Sequence, residues 1–78
     1  MKVVLLGRLA EIAGWREREM SAATVAALRA GLAQTNAELG EALAQPGVRV
    51  VVDQSLAPAR QDLRGALEVA FLPVVSGG

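Results

Sequence analysis

The sequence predicts an α+β fold: a mixed sheet with one principal helix packed on one face. Three observations lead there. Short Val- and Leu-rich runs stand near both ends (Lys2 to Gly7 and Leu67 to Leu72) and again in the middle (Val48 to Asp53). A single long stretch, Thr24 to about Gln34, carries apolar residues at helical spacing, and a polar stretch from Trp15 to Met20 alternates in the manner of an edge strand. The resulting order, with strands before and after one main helix, is that of a sheet whose helix covers one side.

Lys2 to Gly7 is apolar without alternation, which suits a strand covered on both faces. Arg8 to Ala13 changes to helical spacing through Leu9, Ile12 and Ala13, and Gly14 stops it, so one helical turn is expected. Trp15 to Met20 sets Arg16 and Arg18 on one side and Glu17 and Glu19 on the other, a charged edge strand folded back onto the first. In the main helix Val25, Leu28 and Leu32 share one face, Arg29 points outward, and Ser21 or Thr24 caps the start. Gly31 lies inside it at a cost of about 1 kcal/mol relative to Ala.

Asn36 can cap a shorter helix, Ala37 to Ala44, with Leu39, Ala42 and Leu43 inward and Pro46-Gly47 as its stop. Val48 to Asp53 is the third strand. Gln54 to Leu63 contains Pro58 and no clear period, a connection with a brief strand around Leu56. Arg64-Gly65-Ala66 turns into the last strand, Leu67 to Leu72.

Composition narrows the function. The chain has 78 residues, one domain's worth, with 53% apolar residues but one Trp, one Phe and no Tyr, so the core is aliphatic. Eight basic residues balance eight acidic ones, which gives no electrostatic footprint for nucleic acid or an anionic membrane. The absence of Cys and His removes disulfides, a thiol nucleophile, the usual general base and the commonest metal ligands. Asp53, Asp62 and Glu68 are scattered singly, so no paired-carboxylate or metal site is expected, and Gly7 and Gly14 match no phosphate-binding glycine pattern. Arg8, Arg16, Arg18 and Arg64 read as solvated surface. The first residues are too short and too soon interrupted for a signal peptide, and no apolar run approaches a membrane span, so a cytoplasmic protein is expected.

Alternation leaves one face of the sheet unaccounted for. If Val3, Leu5, Val69 and Phe71 face the helix, then Val4, Leu6, Ala70 and Leu72 face away from it. A face meeting only water should be polar there, so these aliphatics point to a protein interface. It leads into Pro73-Val74-Val75-Ser76-Gly77-Gly78. Gly has no Cβ, so a Gly-Gly end passes through a channel too narrow for side chains with its carbonyl open to attack. Six extended residues reach about 20 Å, enough to enter a partner's active site from outside.

The ending FLPVVSGG, taken with the opening VVLLGRLAEIAG and the last strand LEVAFL, resembles the sulfur-carrying small subunit of molybdopterin synthase, a β-grasp (ubiquitin-like) family. The resemblance implies a β-grasp domain over residues 1–72 and a flexible C-terminal diglycine tail over residues 73–78. It also implies that Gly78, preceded by Gly77, is the working group. An E1-like adenylyltransferase uses ATP to convert its carboxylate to an acyl-adenylate, and a persulfide donor replaces AMP to leave a thiocarboxylate. The large subunit then transfers that sulfur to a pyranopterin precursor in molybdenum cofactor biosynthesis. The chain itself would bind no cofactor and would not be an enzyme alone, but one subunit of a two-plus-two heterotetramer. Leu6, Leu56, Phe71, Leu72, Pro73, Val74, Val75 and Ser76 correspond to the partner interface. Leu72 stands where an aromatic is common, Val74 where a second Pro is, Gly65-Ala66-Leu67 where Asp-Gly-Asp is, and Asp53 where Asn is. Other readings remain open: a carrier of the same fold for thiamine thiazole or another sulfur pathway, a ubiquitin-like modifier joining Gly78 to lysines, and an interaction module with an incidental tail.

Overall fold

A computed structural model describes residues 1–73. Its elements run β1 (Lys2–Leu5), α1 (Arg8–Ala13), β2 (Glu17–Glu19), α2 (Val25–Thr35), α3 (Ala37–Leu43), β3 (Arg49–Val52), β4 (Ser55–Leu56) and β5 (Glu68–Leu72). The five strands form one sheet in the order β2-β1-β5-β3-β4, with β1 and β5 parallel and the other pairs antiparallel. The strand leading to the tail is therefore the central one. The mixed sheet and its longest helix match the expectation.

One face of the sheet holds the core. Val3, Leu5, Val50, Val52, Val69 and Phe71 are buried there together with Leu9, Val25, Leu28, Leu32, Leu39, Leu43 and Leu63. Strand alternation is what selects them, every second residue in β1, β3 and β5 being buried. Phe71, the one aromatic among them, is fully buried. It belongs to the core and not to the partner interface, because its register position turns it toward the helices.

Local chemistry sets the helix ends. Thr24 accepts a hydrogen bond from the Ala27 amide (3.1 Å), so it and not Ser21 caps α2. The Val25 and Ala26 amides donate to the carbonyls of Gln61 and Ala59. The Gln54 to Leu63 connection thus has a defined task, satisfying donors that a helix start leaves orphaned, and Leu63 at its end joins the core. Asn36 closes α2 and opens α3, accepting from the Leu39 amide (3.0 Å) while its amide nitrogen donates to the Ile12 carbonyl (3.2 Å). One residue so ties all three helices together. At Gly40 a Cβ would lie 2.6 Å from that of Ala33, so α2 and α3 approach too closely for any larger residue there.

The strands are shorter than the sequence runs that predict them. β1 stops at Leu5 because Gly7 turns the chain with φ 56° and ψ −134°. β2 keeps only its charged centre, with the Arg18 guanidinium 4.6 Å above the Trp15 ring. Arg29 is half-buried and not outward, since it follows Val25 by one turn on the same side of α2.

Candidate functional site

The face of the sheet opposite the helices is where the expected interface falls. Its rows follow from strand register. At one end Lys2 lies between Glu19 and Glu68, with its ammonium 3.3 Å from the Glu68 carboxylate. The next row reads Glu17, Val4, Ala70, Val51 and Leu56 across all five strands. Beyond it Leu72 stands opposite Arg49, and Leu6 extends β1 by donating its amide to the Phe71 carbonyl (3.1 Å). Charge at one end of the face gives way to aliphatics, and these lead to Pro73.

Among the described residues no helix covers this patch. Val4, Val51, Ala70 and Leu72 are half-buried, while Leu6 is 38% and Leu56 67% exposed. A water-facing sheet surface of this make-up is costly in isolation and gains when a partner covers it. Leu6, Leu56 and Leu72 thus share one side of the molecule, whereas Pro73 borders the helix side. Val51 was missing from the expected set, although alternation along Val48 to Asp53 carries the signal for it.

The root of the tail is held by packing. Gly7 passes so near Pro73 that a Cβ on it would lie 3.0 Å from the proline Cγ. Its φ and ψ also fall outside the regions open to other residues, so backbone and neighbour both require glycine. On the helix side, a groove of about 510 Å³ between α1 and α3 reaches Pro73 and carries Arg8, Glu38, Glu41 and Gln45. Val74, Val75, Ser76, Gly77 and Gly78 lie outside the described residues.

Asp53 supports the same strand from its other end. Its Oδ1 accepts from the amides of Leu67 (3.0 Å) and Glu68 (2.9 Å), joining the β3–β4 turn to the start of β5. Asp53 and Gln54 both have positive φ, 48° and 73°, which makes the link a two-residue hairpin turn between Val52 and Ser55. Sequence reasoning assigned Asp53 no role, and nothing short of the hairpin register reveals one. Asp62 is an exposed carboxylate whose hydrogen bonds from the Arg64 side chain and amide hold it down at about 2. Among the described residues no group of three or more His, Cys, Asp or Glu is placed to hold a metal ion, and no helix is long and apolar enough to cross a membrane.

Comparison with known proteins agrees with this geometry. The ThiS family profile matches residues 3–78. Among solved structures, SAMP1 from Haloferax volcanii superposes with a TM-score of 0.82 at 24% identity, covering 99% of this chain and 97% of that one. A Pyrococcus furiosus protein described as molybdopterin converting factor subunit 1 gives 0.78 at 19% identity, covering 95% of each chain. Small archaeal modifier protein 1 from Methanosarcina acetivorans gives 0.67 at 22%, covering 99% of this chain and 94% of its own. At these identities the likeness establishes the β-grasp, ubiquitin-like fold. No curated protein shows significant sequence similarity to the chain.

Proposed function

The chain belongs to the ThiS family, and from that premise we propose that it carries sulfur on the C-terminal carboxylate of Gly78 for molybdopterin synthesis. The observation that carries the reading is the continuity of the uncovered apolar face, Val4, Val51, Leu56, Ala70 and Leu72, with Pro73, where the diglycine tail departs. A partner seated on that face receives the tail directly. With about 3.3 Å per extended residue, the five residues after Pro73 reach roughly 16 Å into it.

Each step then has a definite source. A carboxylate is a poor electrophile, so an E1-like enzyme spends ATP to form the acyl-adenylate of Gly78, releasing pyrophosphate. A donor's persulfide sulfur attacks that carbonyl and AMP leaves. A second thiol then attacks the donor's own sulfur, forming a disulfide there and leaving a thiocarboxylate on Gly78. The terminal sulfur is the nucleophile delivered to the pyranopterin precursor in the synthase large subunit. That subunit supplies the acid, base and substrate contacts, in keeping with a chain that has neither His nor Cys.

Removal of Gly77 and Gly78 tests this. Sulfur transfer is abolished, while the fold and large-subunit binding persist; retained function in the truncated chain would reduce the tail to an accident. A second reading, a ubiquitin-like modifier whose Gly78 forms isopeptide bonds, draws support from the structural similarity to small archaeal modifier proteins. Gly-Gly remnants on lysines of cellular proteins would favour it, as a genomic neighbour encoding a thiazole synthase would favour the thiamine pathway.

A further inference from the structure

A second concavity lies away from the tail, where α2 meets the start of β3 and the chain leaving β4. It holds about 330 Å³ and is lined by Arg29, Arg49, Val50, Leu56, Ala57 and Pro58. Two arginines are among its lining residues and no acidic residue is. Neither arginine belongs to an ion pair among the described residues, the side-chain pairs being Lys2 with Glu68 and Arg64 with Asp62. The Nε of Arg29 is moreover buried without an acceptor. A buried donor left unpaired is costly, and an aliphatic residue would cover the same stretch of α2 without that cost. The two charges and the orphaned donor call for the same missing group, an anionic acceptor.

We propose that this groove is a docking notch for a carboxylate side chain on a protein partner, gripped by Arg29 and Arg49 beside an apolar residue resting on Leu56. Leu56 is 67% exposed at the mouth of the groove, where a free anion has no use for it and a peptide does. β4 is an edge strand, so a chain can approach it from the side that no other strand occupies. Leu56 also belongs to the apolar row of the open face, and Arg49 stands opposite Leu72. A partner seated on that face therefore reaches the notch by turning over the β4 edge. Guanidinium suits this role, since its planar fork matches the two oxygens of a carboxylate. The inference concerns recognition and is independent of the sulfur chemistry.

The test is a titration of the isotope-labelled full chain with acetyl-Asp-Leu-Asp-Leu-amide, read by NMR at the arginine Nε–H groups and the backbone amides. Saturable shifts are expected at the Arg29 and Arg49 side chains and at the amides of Leu56 and Ala57. The Asn-Leu-Asn-Leu analogue should bind about tenfold more weakly or worse, as should the acidic peptide to Arg29→Gln or Arg49→Gln. Arg49 is exposed, so its variant keeps the experiment decisive if Arg29→Gln does not fold. The absence of saturable shifts at the arginines would overturn the proposal, as would equal binding of the Asn peptide. Sodium acetate binding as tightly as the peptide would reduce the notch to a bare anion site and overturn it too.

Discussion

Replacing Gly7 by Ala strikes the joint between body and tail. Two penalties follow from the geometry. A residue with a Cβ at φ 56° and ψ −134° sits in a region that is strained for all but glycine, at about 1–3 kcal/mol. The added Cβ would also lie 3.0 Å from Pro73 Cγ, so the proline ring must move by a few tenths of an ångström. The total is about 2–3 kcal/mol, set against the roughly 4–12 kcal/mol expected for a domain of this size. With a urea slope of about 1 kcal/mol/M, the unfolding midpoint falls by about 2–3 M. The same displacement re-aims the tail, so amide shifts in the variant should cluster at Leu6, Leu72 and Pro73's neighbours, and transfer from a loaded tail should slow even where the protein remains folded. Gly31→Ala is the matched control: a Cβ there meets nothing within 4 Å inside α2. Equal stability of Gly7→Ala and the wild type, or shifts centred away from the tail root, would refute the reasoning.

Gly31→Ala itself should raise stability by up to about 1 kcal/mol in the same urea experiment, since it removes the entropic cost of glycine without a clash. Asp53→Ala should lose about 2 kcal/mol, from two hydrogen bonds to a carboxylate and an unfavourable positive φ, whereas Asp53→Asn keeps an acceptor and should lose less than about 1 kcal/mol. Parallel urea melts giving equal losses would contradict that role. Asp62, held at about 2 by Arg64, contributes fully above its unfolded value near 3.8, and that contribution disappears as the pH falls through about 2. Carbon-detected titration should show its midpoint near 2, returning toward 3.8 in Arg64→Gln. Leu72→Asp should weaken large-subunit binding by calorimetry at least about tenfold, because it replaces an apolar contact by a charge that the interface must desolvate even with Arg49 opposite; unchanged affinity would remove the open face from the interface.

The sheet and helices were legible because their signals are local. Val25, Leu28 and Leu32 repeat at helical spacing, Thr24 and Asn36 are strong cap formers, and short apolar runs mark β1, β3 and β5. The open face was legible from the same alternation, through Val4, Leu6, Ala70 and Leu72. What escaped depends on partners distant in sequence. Asp53 bonds to amides 14 and 15 residues on, and Gly7 is required partly by Pro73. Phe71 shows a different limit: the family resemblance placed it at the interface, yet alternation alone assigns it to the core. Arg29 reads as outward on charge grounds, but one helical turn from Val25 its stem is drawn against the protein and only part of it reaches water.

The central claim concerns a single atom at the end of the chain. It is tested by the intact mass of the protein after incubation with ATP, a persulfide donor and an activating enzyme shown to be competent on another carrier. Exchange of a terminal oxygen for sulfur adds about 16 Da, and the account predicts that gain, mapped to Gly78 and lost when Gly78 is deleted. An unchanged mass under those conditions would contradict sulfur carriage.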